Sequence, residues 1–183
     1  MKMCRVFVMF FIMFCFGFTS VFSVSNTVYA EIRPNDKQSE AGLKITSDKQ
    51  AEEKALKRVK DATIVSTAVS FDKLYYQVCL EKGTKEYSLF YYASDGKLHH
   101  YGWEEDNVVR NSNKKIMSKS KCKKLAKKKV KKGKITKVVK KYDDGIDIYK
   151  VYMKKSNKKF ELKFHARTGK LIEYGWKLVD TNK

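Results

Sequence analysis

The sequence predicts an α+β fold: two similar modules, each one α-helix packed on a three- to four-stranded antiparallel β-meander, after an N-terminal signal peptide. Three observations carry that prediction. First, Asp95-Gly96-Lys97-Leu98-His99-His100-Tyr101-Gly102-Trp103 recurs 73 residues later as Thr168-Gly169-Lys170-Leu171-Ile172-Glu173-Tyr174-Gly175-Trp176. Second, the match extends backwards at the same offset, pairing Tyr76-Gln77-Val78 with Tyr149-Lys150-Val151 and Tyr87 to Phe90 with Phe160 to Lys163. Before that the offset falls to 71, pairing Ser47 with Ser118, Ala55 with Ala126, Val59 with Val130 and Ile64 with Ile135. The turn Asp143-Asp144-Gly145 absorbs the difference, because extra backbone in a surface turn still bonds to water. Third, in each copy the apolar spacing changes from a helical period to strict alternation.

Residues 1–30 read as a signal peptide: Lys2 and Arg5 precede an apolar run from Val6 to Val24, and Val28-Tyr29-Ala30 suits a cleavage site. A retained membrane anchor is the alternative, since a span takes roughly 20 apolar residues. Thr19, Ser20, Ser23 and Ser25 weaken the far end of the run. Ile12, Met13 and Phe14 precede Cys15 where lipid attachment requires small residues. Residues 31–45, with the single proline Pro34, form a linker. The modules occupy residues 46–110 and 116–180, and units of about 65 residues have cores small enough to need each other.

Each module opens on a helix. Ser47 caps the first, Asp48 suits its positive dipole end, and Ala51, Ala55, Leu56 and Val59 form its apolar stripe. Ser118 or Ser120 caps the second, whose stripe is Cys122, Leu125, Ala126 and Val130, with Gly133 as its stop. Ile64 to Phe71 reads as a strand, and Leu74 to Glu81 as the next, with Tyr76, Val78 and Leu80 inward and Tyr75, Gln77 and Cys79 outward. The second copy places Tyr149, Val151 and Met153 inward, with Ile148, Lys150 and Tyr152 outward. Lys82-Gly83-Thr84 and Lys154 to Lys158 make hairpin turns, and Gly96 and Gly169 close the turns before the repeated phrase.

Charge divides the chain unevenly. The total is +20, with 25 basic against 6 acidic residues over 114–183, and 13 against 14 over 31–113. Lys121, Lys123, Lys124, Lys127, Lys128, Lys131 and Lys132 line the solvent face of the second helix, extended by Lys134, Lys137, Lys140 and Lys141. Such a face attracts polyanions by counterion release, or it is simply a solvated surface. With 35 Lys to 5 Arg, bidentate phosphate reading is scarce, which argues against specific nucleic-acid recognition.

Catalytic and metal chemistry find little support. His99 and His100 fall on opposite faces of a regular strand, and with His165 they read as solvated surface groups. Neither Cys79 nor Cys122 has zinc-ligand spacing. Cys122 faces the core and Cys79 the opposite sheet face, so a bridge would need one particular docking of the modules; otherwise they read as unpaired thiols, Cys122 as a small core residue. No phosphate loop or nucleophile elbow occurs, so neither a cofactor nor a catalytic residue is expected. Trp103 and Trp176, each after Tyr-Gly, either seal a core edge or the contact between modules, or anchor a partner.

The second copy resembles the PepSY domain family. The resemblance lies in the Ser-led helix of Ala and Lys, in Lys134 to Val138, Tyr149-Lys150-Val151 and Phe160-Glu161-Leu162, and above all in Ala166 to Glu173. Ala93 to Trp103 is a looser version, so the likeness extends over Ile45 to Val179 as a tandem. The position before the closing turn, often acidic in that family, is Tyr92 and His165. The resemblance implies a helix on an antiparallel sheet, exported by a bacterium, non-enzymatic, and binding or restraining a peptidase. A partner is then a protein or peptide, held by aromatic anchors or along an exposed sheet edge. The alternative is a cationic envelope protein whose lysine helix adheres to anionic wall polymer or a membrane surface.

Overall fold

The computed structural model describes residues 45–110 and 112–179. The predicted signal peptide, all of the linker except Ile45, Cys4 and Cys15 lie outside the described residues.

The chain is α+β. Helix α1 (Asp48–Arg58) leads into β1 (Thr63–Val69), β2 (Tyr75–Lys82), β3 (Lys85–Tyr92) and β4 (Leu98–Glu105). Helix α2 (Lys119–Lys129) leads into β5 (Lys134–Asp143), β6 (Ile146–Lys155), β7 (Lys158–His165) and β8 (Leu171–Leu178). All eight strands form one antiparallel sheet in the order β1-β2-β3-β4-β8-β7-β6-β5. The two meanders are therefore joined edge to edge by β4 and β8, which removes two of the four exposed edges that separate meanders would carry.

Local details recur at matching positions. Ser47 and Ser118 are the N-caps, accepting from the backbone N–H of Gln50 and Lys121, and each helix ends where the N–H of Val59 or Val130 donates to Ala55 or Ala126. Both first strands shift register one residue in, at Ile64/Ser66 and Ile135/Lys137. The residues after the helices that adopt the left-handed conformation are Asp61 (φ 57) and Lys132 (φ 62). This corrects the reading of Gly133 as the helix stop. Gly133 is small for a packing reason: a Cβ there would lie 2.8 Å from Val130 Cγ1 and 2.9 Å from Met153 Cε.

Both helices lie on one face of the sheet, α1 over β1 and β2 and α2 over β5 and β6. Ala51, Ala55 and Val59 bury against Tyr76, Val78, Leu80, Leu89 and Tyr91. Cys122, Ala126 and Val130 bury against Tyr149, Val151, Met153, Leu162 and Phe164. Short Ala- and Lys-rich helices hold only through such burial. Leu98 and Tyr101 touch both clusters, so the two cores meet at β4.

The opposite face departs from the sequence reading. Ile148 and Lys150, expected outward, are buried. The segment between β4 and α2 accounts for Ile148, because Val108 packs on Ile146, Ile148 and Ile172. Lys150 is covered by charge pairing: its Nζ lies 3.3 Å from Glu161. Cys79 is buried on this face and Cys122 under α2, so the two share no disulfide. Burial pushes the Cys122 thiol up to about 11.

Candidate functional site: the seam between the meanders

The repeated phrase meets itself at the seam. Gly102 pairs with Gly175, Tyr101 with Trp176, and Trp103 with Tyr174, a register symmetric about the glycine pair. Directly opposed residues of antiparallel strands share a face, so all four aromatic rings stand on the helix side. The pairs match in geometry: Tyr101–Trp176 and Trp103–Tyr174 centroids are each 6.5 Å apart at 25°. Trp103 and Trp176 are thus central in the sheet. Trp176 is buried at 7% exposure, while Trp103 remains half-buried.

Neither helix has its main contacts with β3, β4, β8 or β7. Half-buried Tyr87, Tyr101, Trp103 and Tyr174 therefore form an aromatic floor between α1 and α2. Burial, with the neighbouring Tyr87, pushes the Tyr101 hydroxyl up to about 12. Cations sit above the rings. Lys85 Nζ is 3.8 Å from the Trp103 centroid, Lys158 Nζ 3.4 Å from Trp176, and Arg58 Cζ 5.9 Å from Tyr101. Each such contact contributes on the order of 0.5–1 kcal/mol at a partly exposed site. Among the described residues no carboxylate lies within ion-pair distance of Arg58, Lys85 or Lys158. Desolvation, then Arg58 and Lys155, holds the Lys158 ammonium below its ordinary range.

The seam's other face is polar and buried. Register aligns Glu81, Glu86, Glu104, Glu173, Lys163 and Lys150 in one row across six strands. Lys163, 3% exposed, lies 2.7 Å from Glu173, 3.2 Å from Glu104 and 3.5 Å from Asp143. Burial alone disfavours its ammonium, yet these carboxylates outweigh burial and raise it. Desolvation, only partly offset by Lys163, holds the Glu104 carboxyl above its ordinary range. Because Glu104 is on β4 and Lys163 on β7, this pairing also ties the halves together.

The histidines do not behave as read. The β3–β4 register shifts at Phe90/Tyr91, leaving His99 as an extra residue. A bulge turns consecutive side chains to one side. His99 packs against Tyr75 and Tyr92 at 5.0 and 4.8 Å, and His100 against Phe90 at 5.2 Å, all on the face away from the helices. A Cβ on Gly102 would sit 3.4 Å from His100 Nε2, so glycine leaves room for that ring. Desolvation, then His99 and Lys177, lowers His100 to about 3. His165 is buried too, not solvated: its Nδ1 accepts the Arg167 N–H at 3.1 Å and its Nε2 bonds the Val109 carbonyl at 3.1 Å. Among the described residues no three His, Cys, Asp or Glu side chains converge as a metal site.

The lysines Lys121, Lys123, Lys124, Lys127, Lys128, Lys131 and Lys132 are all exposed, and among the described residues no ion pair is recorded for them. They form a second, separate surface along α2. The aromatic floor and its cations were invisible as a unit in the sequence, because they come from α1, β3, β4, β7 and β8 together; only the Tyr-Gly-Trp repeat marked the place.

Residues 116–174 match the PepSY family, the peptidase propeptide and YPEB domain. No curated protein matches the chain significantly. Among solved structures, the chain is similar to a candidate lipoprotein from Clostridium difficile 630, at 18% identity over 70% of this chain and 91% of that one, TM-score 0.33. It is also similar to a cysteine-rich secretory protein from Staphylococcus aureus, at 10% identity over 70% of this chain and 43% of that one, TM-score 0.36. A BLIP-like protein from Bacteroides fragilis is 14% identical over 76% of this chain and 94% of that one, TM-score 0.28.

Proposed function

We propose that this chain, whose residues 116–174 form a PepSY domain, is an exported, non-enzymatic protein that binds a protein partner and restrains a peptidase at the cell surface. Residues 46–110 are read as a second copy of the same domain. The shared element order, the matched N-caps Ser47 and Ser118 and the matched strand shifts support that reading. The charged start and apolar run within residues 1–30, read as a signal peptide, support export.

The observation that carries the binding reading is the aromatic floor under unpaired cations. Half-buried Tyr and Trp offer large contact area at low entropic cost. Arg58, Lys85 and Lys158 beside them favour a segment that is acidic as well as apolar. A second reading rests on the exposed lysines of α2, which suit adhesion to anionic wall polymer or membrane.

One experiment separates the two. Purified protein from residue 31 onward is added to the secreted peptidases of the source bacterium and, separately, to its cell walls, at low and physiological salt. The first reading expects inhibition that survives salt and weakens at least tenfold in Trp103→Ala and in the double variant Arg58→Gln, Lys158→Gln. Absence of any peptidase inhibition or complex sinks it. Wall retention should weaken steeply with salt and vanish in Lys123→Gln, Lys124→Gln, Lys127→Gln, Lys128→Gln; unchanged retention removes the second reading.

A further inference from the structure

A cavity of about 530 Å³ opens on the second half, between the β5–β6 turn and the segment leading into α2. In a chain with 35 Lys and 5 Arg, Arg110 and Arg167 line this cavity and no lysine does. The difference is chemical: a guanidinium presents a planar fork that meets a carboxylate through two hydrogen bonds, whereas an ammonium is a point charge.

Arg167 is held in place. Its Nη2 donates to Asp147 Oδ2 at 3.0 Å and its Nη1 to the Lys114 carbonyl at 3.1 Å. Asp147 also lies 3.6 Å from Lys140 Nζ, so its charge is already answered from two sides. Arg110 is exposed; its Cδ would lie 3.9 Å from a Cβ at Gly145, and no carboxylate pairs with it among the described residues. Both nitrogens of His165 are engaged inside the protein. Tyr142 and Asn113 add uncharged donors, and Ile146 adds an apolar wall. Arg110, Arg167 and the nearby Lys140 against Asp147 leave the site with a positive surplus.

We propose that this cavity binds a carboxylate-bearing ligand, its carboxylate forked by Arg110 beside the Arg167–Asp147 pair and its body against Ile146 and Tyr142. Asp147 already holds the Arg167 fork, so Arg110 is the guanidinium left to meet a ligand, and a planar carboxylate saturates one fork. The volume falls in the range of small-molecule pockets and is far larger than a bare carboxylate needs, which leaves space for an organic body. A small organic acid and the free C-terminus of a peptide share this chemistry. The cavity has no residue in common with the seam, so this assignment stands or falls apart from the peptidase reading.

Acetate, N-acetyl-alanyl-alanine, its C-terminal amide and inorganic phosphate are titrated separately against the purified chain, with NMR following the amides of Gly145, Asp147 and Arg167. The carboxylates should give saturable shifts, weakened at least tenfold by Arg110→Gln and unaffected by Lys123→Gln with Lys124→Gln. A dipeptide that binds more tightly than acetate identifies a peptide end as the source; equal affinity identifies a small acid. Equal binding of the amide, tighter binding of phosphate, no shift at all, or indifference to Arg110→Gln overturns the assignment.

Discussion

His100 shows how one side chain can couple stability to acidity. It is 6% exposed, wedged against Phe90 where Gly102 leaves space, and burial lowers it to about 3. In the unfolded chain the same imidazole titrates near 6.5. Its contribution is therefore fully present above about pH 6.5 and is lost as pH falls toward 3, because only the unfolded state takes up the proton. The loss is about 1.4 kcal/mol per pH unit across that window. The carboxyls of Glu104 and Glu161, raised mainly by desolvation, act with the opposite sign, since the folded state holds their protons better. The difference between wild type and His100→Asn isolates the imidazole. Urea midpoints measured from pH 7 to pH 3 should fall less in the variant; parallel curves would mean that His100 is protonated in the fold.

At the scale of the element, the two edges of the sheet are guarded differently. Strand β5 carries exposed Lys134, Lys137, Lys140 and Lys141, a row of charges that discourages pairing with another chain. Strand β1 has no charged residue, and Val65 and Val69 are exposed there at 37% and 45%, next to fully exposed Phe71. Replacing Lys137, Lys140 and Lys141 with threonine should speed aggregation at physiological salt, followed by light scattering. An unchanged rate would show that the charge on the rest of the second half already keeps copies apart. β-Branched residues marked Ile64 to Phe71 as a strand and the repeat matched Ile64 with Ile135, yet neither could say which strands would be edges. That depends on the joining of β4 to β8, decided by pairs such as Tyr101–Trp176 and Trp103–Tyr174 whose members are far apart in the chain.

For the whole molecule, the governing quantity is a net charge of +20 with nearly all the excess after residue 113. Lys150 and Lys163 are buried against carboxylates, so the excess sits on exposed lysines that repel one another. Self-repulsion of this kind is screened by salt, whose reach shrinks from about 30 Å at 0.01 M to about 10 Å at 0.1 M. The thermal midpoint should rise across that range by about 2–4 °C, the equivalent of roughly 1 kcal/mol for a chain of this size. A fall would instead assign the stability to partly exposed ion pairs such as Lys140–Asp147.

By itself the sequence determined the order of elements, the serine caps at the helix starts and the inward residues. These depend on neighbours within a few positions: Ser47 and Ser118 reach N–H groups three residues on, and Val78 or Val151 alternates with its own strand. It also marked Tyr-Gly-Trp as a place where something happens twice. Only the tertiary structure decided that those two phrases pair with each other, that the bulge at His99 turns both histidines to one face, and that Arg110 and Arg167 line one cavity. The physical reason is that each of these outcomes rests on contacts between residues far apart in the chain. Register across a sheet, one extra residue in a ladder and the course of a connecting segment leave no period in the sequence from which they could be read.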